Sequence, residues 1–339
     1  MVPEEWPIAA SAADRPVDPA RARGPGRLAT VRRDFFLDPG ERLTEQERAL
    51  MTAMLHDLVG TVANELRAAA GGRSAEPQPA DLAKALSASG LLDRRGLIVA
   101  LLRRADEHRL ASAFAGHAGP RRLPLLPRMV SDDDPTVAEA AMALVLARGR
   151  RRDGFGQPRV ELSDLNIVDR APLVHAIAAA MSASSATDHA FAQAATKVAD
   201  AVRPEESLDQ AVAALADALE KAGRSPDELV EQAASEGEVA LAAHLIARRA
   251  AIGWRAAWDH LVNGGEHGLA LIARMAGFDR PHAARLIADL GAALGTIDVE
   301  AAIVGYDRLD DKEVAERLAY WRLPRDYRAA RAAIGGRNG

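Results

Sequence analysis

From Leu123 to Ala147 the chain reads LPLLPRMVSDDDPTVAEAAMALVLA: an apolar helical run, an acidic turn marked by proline, and a second helix rich in small and apolar residues. Neither helix can bury its apolar stripe alone, so each needs neighbours, as helices do in stacked pairs. The same periodicity continues along the chain. It predicts helices near 80–89, 91–104, 106–116, 121–130 and 135–148, then near 162–165, 170–182, 186–202 and 208–222. Further helices are predicted near 226–234, 236–250, 253–263, 266–276, 280–293, 298–305, 311–321 and 325–334. A longer helix precedes them, opened by Thr44 and Glu47 at capping-box spacing and closed near Ala70 by Gly71-Gly72. Its apolar residues Leu50, Met51, Met54, Leu55, Leu58, Val59, Val62 and Leu66 form a stripe over 50–66 wide enough for two neighbouring helices, or for one neighbour and a second subunit. No segment alternates as a strand does. The fold class is therefore all-α, as an α-solenoid or a layered helical array of antiparallel helix pairs.

Five segments follow from this pattern. Residues 1–33, rich in Pro, Ala and Arg and without periodicity, read as a disordered N-terminal arm. Residues 34–79 hold Phe35-Phe36-Leu37, the turn Asp38-Pro39-Gly40, the long helix and a polar linker. A helical segment over 80–149, a basic glycine-containing loop over 150–161 and a helical segment over 162–339 complete the chain. With only 4% aromatic residues, the core must be built largely of Ala, Leu, Val and Ile. There is no cysteine, which excludes disulfides, thiolate metal sites and cysteine nucleophiles. No apolar run reaches the ~20 residues of a membrane span. Glu4 and Glu5 with no apolar stretch behind them do not make a secretory signal, so the expected location is the cytoplasm.

The 123–147 segment resembles a HEAT repeat. The features that carry the resemblance are Leu123, Leu126 and Pro127 in the first helix, Asp132, Asp134 and Pro135 in the turn, and Val137, Ala140, Ala141 and Leu144 in the second. Asp134 is placed to cap the second helix and Pro135 to open it. The family's arginine after the valine is replaced here by Ala138. Weaker echoes lie at Gly277–Ala284 and Asp310–Leu318. From Asp34 to Arg331 the chain also resembles an uncharacterised bacterial family, domain of unknown function 2336. That resemblance rests on FFLDPGERLTEQERALMTAMLHDLV (Phe35 to Val59) and GWRAAWDHLVNGGEHGLALIARMAGFD (Gly253 to Asp279). It implies an all-helical fold and transfers no catalytic residue.

Little in the sequence suggests chemistry. There is no His-Glu-x-x-His, no Gly-x-Ser-x-Gly and no phosphate-binding glycine loop, so no catalytic residue, metal ligand or cofactor is expected. His260 and His267 are a heptad apart but separated by Asn263-Gly264-Gly265. Asp132, Asp133 and Asp134 read as helix-start acids. Three groups are candidates for interaction. Arg150, Arg151 and Arg152, with Arg148 and Arg159, surround a Gly-Phe-Gly break and can either complement a helix end or receive an anion. Arg322, Arg325, Arg328 and Arg331 recur every third residue beside Tyr320, Trp321 and Tyr327. Trp254 and Trp258 sit one helical turn apart, to pack between helices or to anchor a partner.

The expected function is a non-enzymatic scaffold or adaptor that binds another protein. Two alternatives stand beside it. One is a nucleic-acid-binding HEAT-like protein of the DNA-repair glycosylase type, for which the arginines speak and the net charge of -5 does not. The other is a regulatory homodimer joined through residues 50–66.

Overall fold

Aspartates and serines at the predicted starts, and glycines at the predicted stops, set the helices. The computed structural model describes residues 43–72, 78–115, 124–182, 185–224, 226–295 and 297–335. The predicted arm over 1–33, the Phe35–Gly40 segment, Leu123 and Ser225 lie outside the described residues. The fold below is that of the unit Gln46–Gly339.

Among the described residues there are sixteen α-helices and no strand beyond one isolated bridge between Arg152 and Pro158. The first five are α1 (Glu45–Ala69), α2 (Pro79–Ala88), α3 (Arg95–Ala115), α4 (Leu125–Val130) and α5 (Pro135–Arg150). After a 3-10 turn at Leu162–Asp164 come α6 (Ile167–Met181) and α7 (Ser185–Ala201). A second 3-10 turn, Pro204–Glu206, leads to α8 (Leu208–Lys221), α9 (Asp227–Ser235), α10 (Val239–Ala250) and α11 (Trp254–Trp258). A π-helical turn, Asp259–Asn263, then precedes α12 (Gly265–Met275), α13 (Arg280–Leu294), α14 (Val299–Arg308), α15 (Asp311–Trp321) and α16 (Arg325–Gly335).

The Asp134-Pro135 start behaves as its chemistry dictates. Asp134 accepts hydrogen bonds from the Thr136 and Val137 N–H groups at 2.8 and 3.4 Å, and Pro135 occupies the first helical position. Asp279, Asp298 and Asp310 cap α13, α14 and α15 in the same way, and Ser207 caps α8. Each such cap contributes about 1 kcal/mol.

The main departures from the sequence reading are these. The two helices expected at 91–104 and 106–116 are one, α3, starting only at Arg95. Its central charges (Arg103, Arg104, Asp106, Glu107) resemble a break in the pattern but face ionic partners, and no Gly or Pro interrupts them. Helix α5 runs on through Arg150, where a break was expected from Gly149. The helix expected at 253–263 becomes α11 plus the π turn, against which Gly264 and Gly268 pack so closely that an added Cβ would lie 2.6 and 2.9 Å from the His260 carbonyl oxygen.

The buried residues form two hydrophobic cores, and neither is contiguous in sequence. The first takes Met54 to Ala105 from α1, α2 and most of α3, then Val160 to Ala199 from the 3-10 turn, α6 and α7. The second takes Leu110 to Ala147 from the end of α3, α4 and α5, then Leu208 to Leu309 from α8 to the residue after α14. The expected segments 80–149 and 162–339 are therefore each divided between both cores. Consecutive helices pair (α4 with α5, α6 with α7, α9 with α10, α13 with α14), and so do helices farther apart in the chain: α2 packs on α6, α5 on α8, α9 on α13 and α12 on α14. The arrangement is an all-α helical array built of both consecutive and chain-distant helix pairs.

Helix α10 lies at the centre of the second core, buried continuously from Val239 to Ala247. Its alanines let neighbours approach closely. Gly237, at φ 79°, brings the chain into α10 so near α3 that a Cβ there would lie 2.9 Å from the Ala111 Cα.

Candidate functional site

The chain passes between the two cores three times: within α3, through residues 148–159, and near Ser207. Charged side chains converge where it does. Arg151, only 2% exposed, lies in the second passage and reaches the third through Glu206, while Arg104 of α3 lies 4.0 Å from its partner Asp164. The Arg151 Nε donates to both Asp164 carboxylate oxygens at 3.0 and 2.9 Å, and its Nη atoms donate to the Ala147 carbonyl, Ser163 Oγ and the Glu206 carbonyl at 3.1, 2.9 and 3.0 Å. Glu161 pairs with it at 3.0 Å. Asp164 also accepts from the Glu161 and Leu208 N–H groups at 3.0 and 3.1 Å, with Arg104 at 4.0 Å. Burial works to raise the Asp164 pKa; the Arg151 hydrogen bond, Arg104 and the backbone donors outweigh it and hold the carboxyl below its usual range.

Arg151 is thus withdrawn from the surface, which corrects its expected role in an exposed arginine cluster. Its bonds to Ser163, Asp164 and Glu206 draw it inward. Arg148 pairs with Glu238, and Arg159 donates to Asp57 at 2.7 Å and Thr61 at 3.1 Å. Only Arg150 and Arg152 remain exposed, without an ion pair among the described residues.

The tryptophans also face inward. Trp258 is buried, and Trp254 is half-buried and stacked on His244 at 5.0 Å. The Arg103 guanidinium lies 4.1 Å from the Trp254 ring centre and 5.3 Å from that of Trp258, while pairing with Asp209 at 2.5 Å and Glu107 at 3.1 Å. The pair therefore clamps α3 against α8 and α11. Burial holds His244 neutral, with its pKa lowered to about 3. The stripe over 50–66 is occupied too: Met54, Leu58, Val59, Val62 and Leu66 are buried, and Leu50, Met51 and Leu55 pack against the same core. The surface expected to join a second copy is filled from within the chain.

The C-terminal arginines separate. Arg322 donates to the Ala250 carbonyl at 2.9 and 3.2 Å and closes α10, whose C-cap Ala251 takes a left-handed φ of 53°. Arg328 lies over Trp321 at 4.4 Å. Arg325 faces Asp259, and Arg331 lines a shallow cleft with Glu313, Glu316 and Tyr320.

Two features were not singled out in the sequence. The first is the outer face of α5. One side of this helix (Val137, Ala141, Leu144, Ala147) is wholly buried, yet Met142, Val145 and Leu146 are exposed on the other, Leu146 at 57%. The loop that continues from α5 ends in an ordered turn, where Asp153 accepts from the Phe155 and Gln157 N–H groups at 2.8 Å each. That turn presents Phe155 at 92% exposure.

The second is a histidine among carboxylates, where the start of α9 meets the start of α13. His282 Nδ1 lies 2.6 Å from Asp279 and 3.8 Å from Asp227; Nε2 lies 3.5 Å from Glu228 and 4.0 Å from Glu231. Arg249 pairs with Asp227, and Arg285 pairs with Glu231 at 2.9 Å. The Asp279 hydrogen bond, with Glu231 assisting, raises the His282 pKa against the effect of burial. Both halves look like ordinary helix starts in sequence, so only the packing of α9 on α13 could reveal the cluster.

Comparison with protein-family models, with curated proteins and with solved structures returns no match.

Proposed function

We propose that this chain is a non-enzymatic helical scaffold that binds another protein through the outer face of α5 and the Phe155 turn. The observation that carries the reading is α5 itself. One face of α5 is wholly buried, yet its outer face still carries the exposed apolar side chains Met142, Val145 and Leu146, with Glu139 as a polar residue among them. An aromatic ring held out by an ordered turn next to exposed arginines has the composition of a binding anchor. Arg150 and Arg152 favour an apolar partner segment with acidic flanks. The α4–α5 hairpin serves here as a HEAT-type unit, its turn architectural and its outer helix face functional.

The test is affinity capture from the source cell's extract with the full chain and with the variants M142E/L146E and F155A. Surface substitutions of this kind change stability by about 0.5 kcal/mol or less, so folding is retained. A specific protein held by the parent and lost from both variants is the expected result. Equal capture by all three would refute the assignment of the surface. If the chain instead bound a DNA duplex with a steep salt dependence that replacing Arg150 and Arg152 weakened, the nucleic-acid reading would take its place.

A further inference from the structure

We propose that His282, Asp227 and Asp279 form a binding site for a divalent transition-metal ion, with Glu228 and Glu231 as outer carboxylates. The argument begins with the imidazole lone pair. A neutral ring carries one N–H and one lone pair. Both nitrogens of His282 face carboxylate oxygens, Asp279 and Asp227 on one side and Glu228 and Glu231 on the other. Whichever nitrogen is protonated, the other presents its lone pair to an acidic oxygen. A cation between them, either a second proton or a metal ion, turns that repulsion into attraction.

The charges around the ring favour an ion of higher charge. Asp227, Glu228, Glu231 and Asp279 bring four negative charges, and Arg249 and Arg285 return two. Asp289, which interacts with Glu231 and Arg285, adds a further acid. A proton on the ring offsets one of the three uncompensated charges, whereas a divalent ion offsets two. The donors are also disposed for it: ligand atoms of Asp227, Asp279 and His282 lie within 4.8 Å of one another. Glu231 holds one oxygen in its pair with Arg285, and its other oxygen is buried without a hydrogen bond, 4.0 Å from His282 Nε2. A carboxylate facing the second ring nitrogen is the arrangement that orients a metal-bound histidine. One imidazole with two carboxylates suits Zn2+ or Mn2+ better than Mg2+. The ion would fasten the start of α9 to the start of α13. This site shares no residue with the α5 surface, so either proposal can fail alone.

The experiment uses the full chain, treated with chelator and titrated with Zn2+ and Mn2+, with Mg2+ as control, at neutral pH. One saturable site per chain is expected, with a rise in thermal midpoint and loss of the freely titrating His282 ring signal in NMR. Asp279→Asn keeps a good helix cap, since Asn caps as well as Asp, so folding is preserved while a ligand is weakened. D279N should weaken the site and H282Q should abolish it. E228Q/E231Q should weaken it roughly 10- to 100-fold, as outer carboxylates do. Binding that persists in H282Q, or a stoichiometry unchanged in all variants, would show only adventitious surface ions and overturn the proposal. So would an absence of saturable binding at millimolar ion with the ring titrating normally, which would leave a proton as the only cation the cluster takes.

Discussion

Replacing Arg151 by Met should destabilise the protein by about 3–5 kcal/mol at pH 7, the range for removing one partner of a buried ion pair. The substitution leaves the Asp164 carboxylate, itself only 6% exposed, with two backbone donors and a distant Arg104. It also removes the donor from the Ala147 and Glu206 carbonyls. A loss of this size is a large part of an ordinary domain's stability of ~5–15 kcal/mol. The pH dependence gives a second check. In the parent, the Asp164 pKa is depressed, so its contribution is present above the unfolded carboxyl pKa of about 4 and is lost as pH falls through the lower folded value. Without Arg151, burial dominates and the pKa rises, so the variant gains relative stability on acidification. Urea unfolding of parent, R151M, D164N and the double variant at pH 7 and pH 5 measures both effects. The deficit of R151M should narrow at pH 5, and the cycle should show coupling of about 2–3 kcal/mol. A deficit under about 1 kcal/mol, or one that does not shrink with acid, would refute the view that Arg151 ties the second passage to the third.

Other outcomes follow from single residues. Burial raises the Asp106 pKa to about 6, so its ionised form burdens the fold at neutral pH; D106N should add about 2–3 kcal/mol at pH 7 and nearly nothing at pH 4, measured by urea midpoint. His244, held neutral to about pH 3, resists a proton that the unfolded chain takes up below about 6.5, so stability falls as pH drops through that window; H244Q should flatten the slope in a pH series of thermal melts. Ala251 carries a left-handed φ, and A251G should raise stability by about 0.5–1 kcal/mol; a lower urea midpoint would contradict the strain.

The helices were legible in sequence because their signals are local. Asp134-Pro135, Asp279-Arg280-Pro281 and Gly237 act on backbone within a few residues of themselves. Arg151 was misplaced for the opposite reason. In sequence it is one of three adjacent arginines beside a glycine loop; its burial is decided by Ser163, Asp164 and Glu206, which arrive from other passages. The tryptophan pair likewise depends on Arg103, about 150 residues earlier, an interaction that no periodicity encodes. The outer face of α5 could have been found: apolar residues at 142, 145 and 146 as well as at 137, 141 and 144 show a helix with more apolar positions than one buried face needs, and only burial reveals which side is left open.

The interleaving of the two cores also governs how this protein can be made. The chain up to residue 150 contains part of each core and the whole of neither, since Val160 to Ala199 complete one and Leu208 to Leu309 the other. A nascent chain arrested between α5 and α6 should therefore expose apolar surface that only later synthesis can cover. For the same reason, a nick at the Phe155 turn should leave two fragments that remain associated, because each holds the missing half of the other's cores.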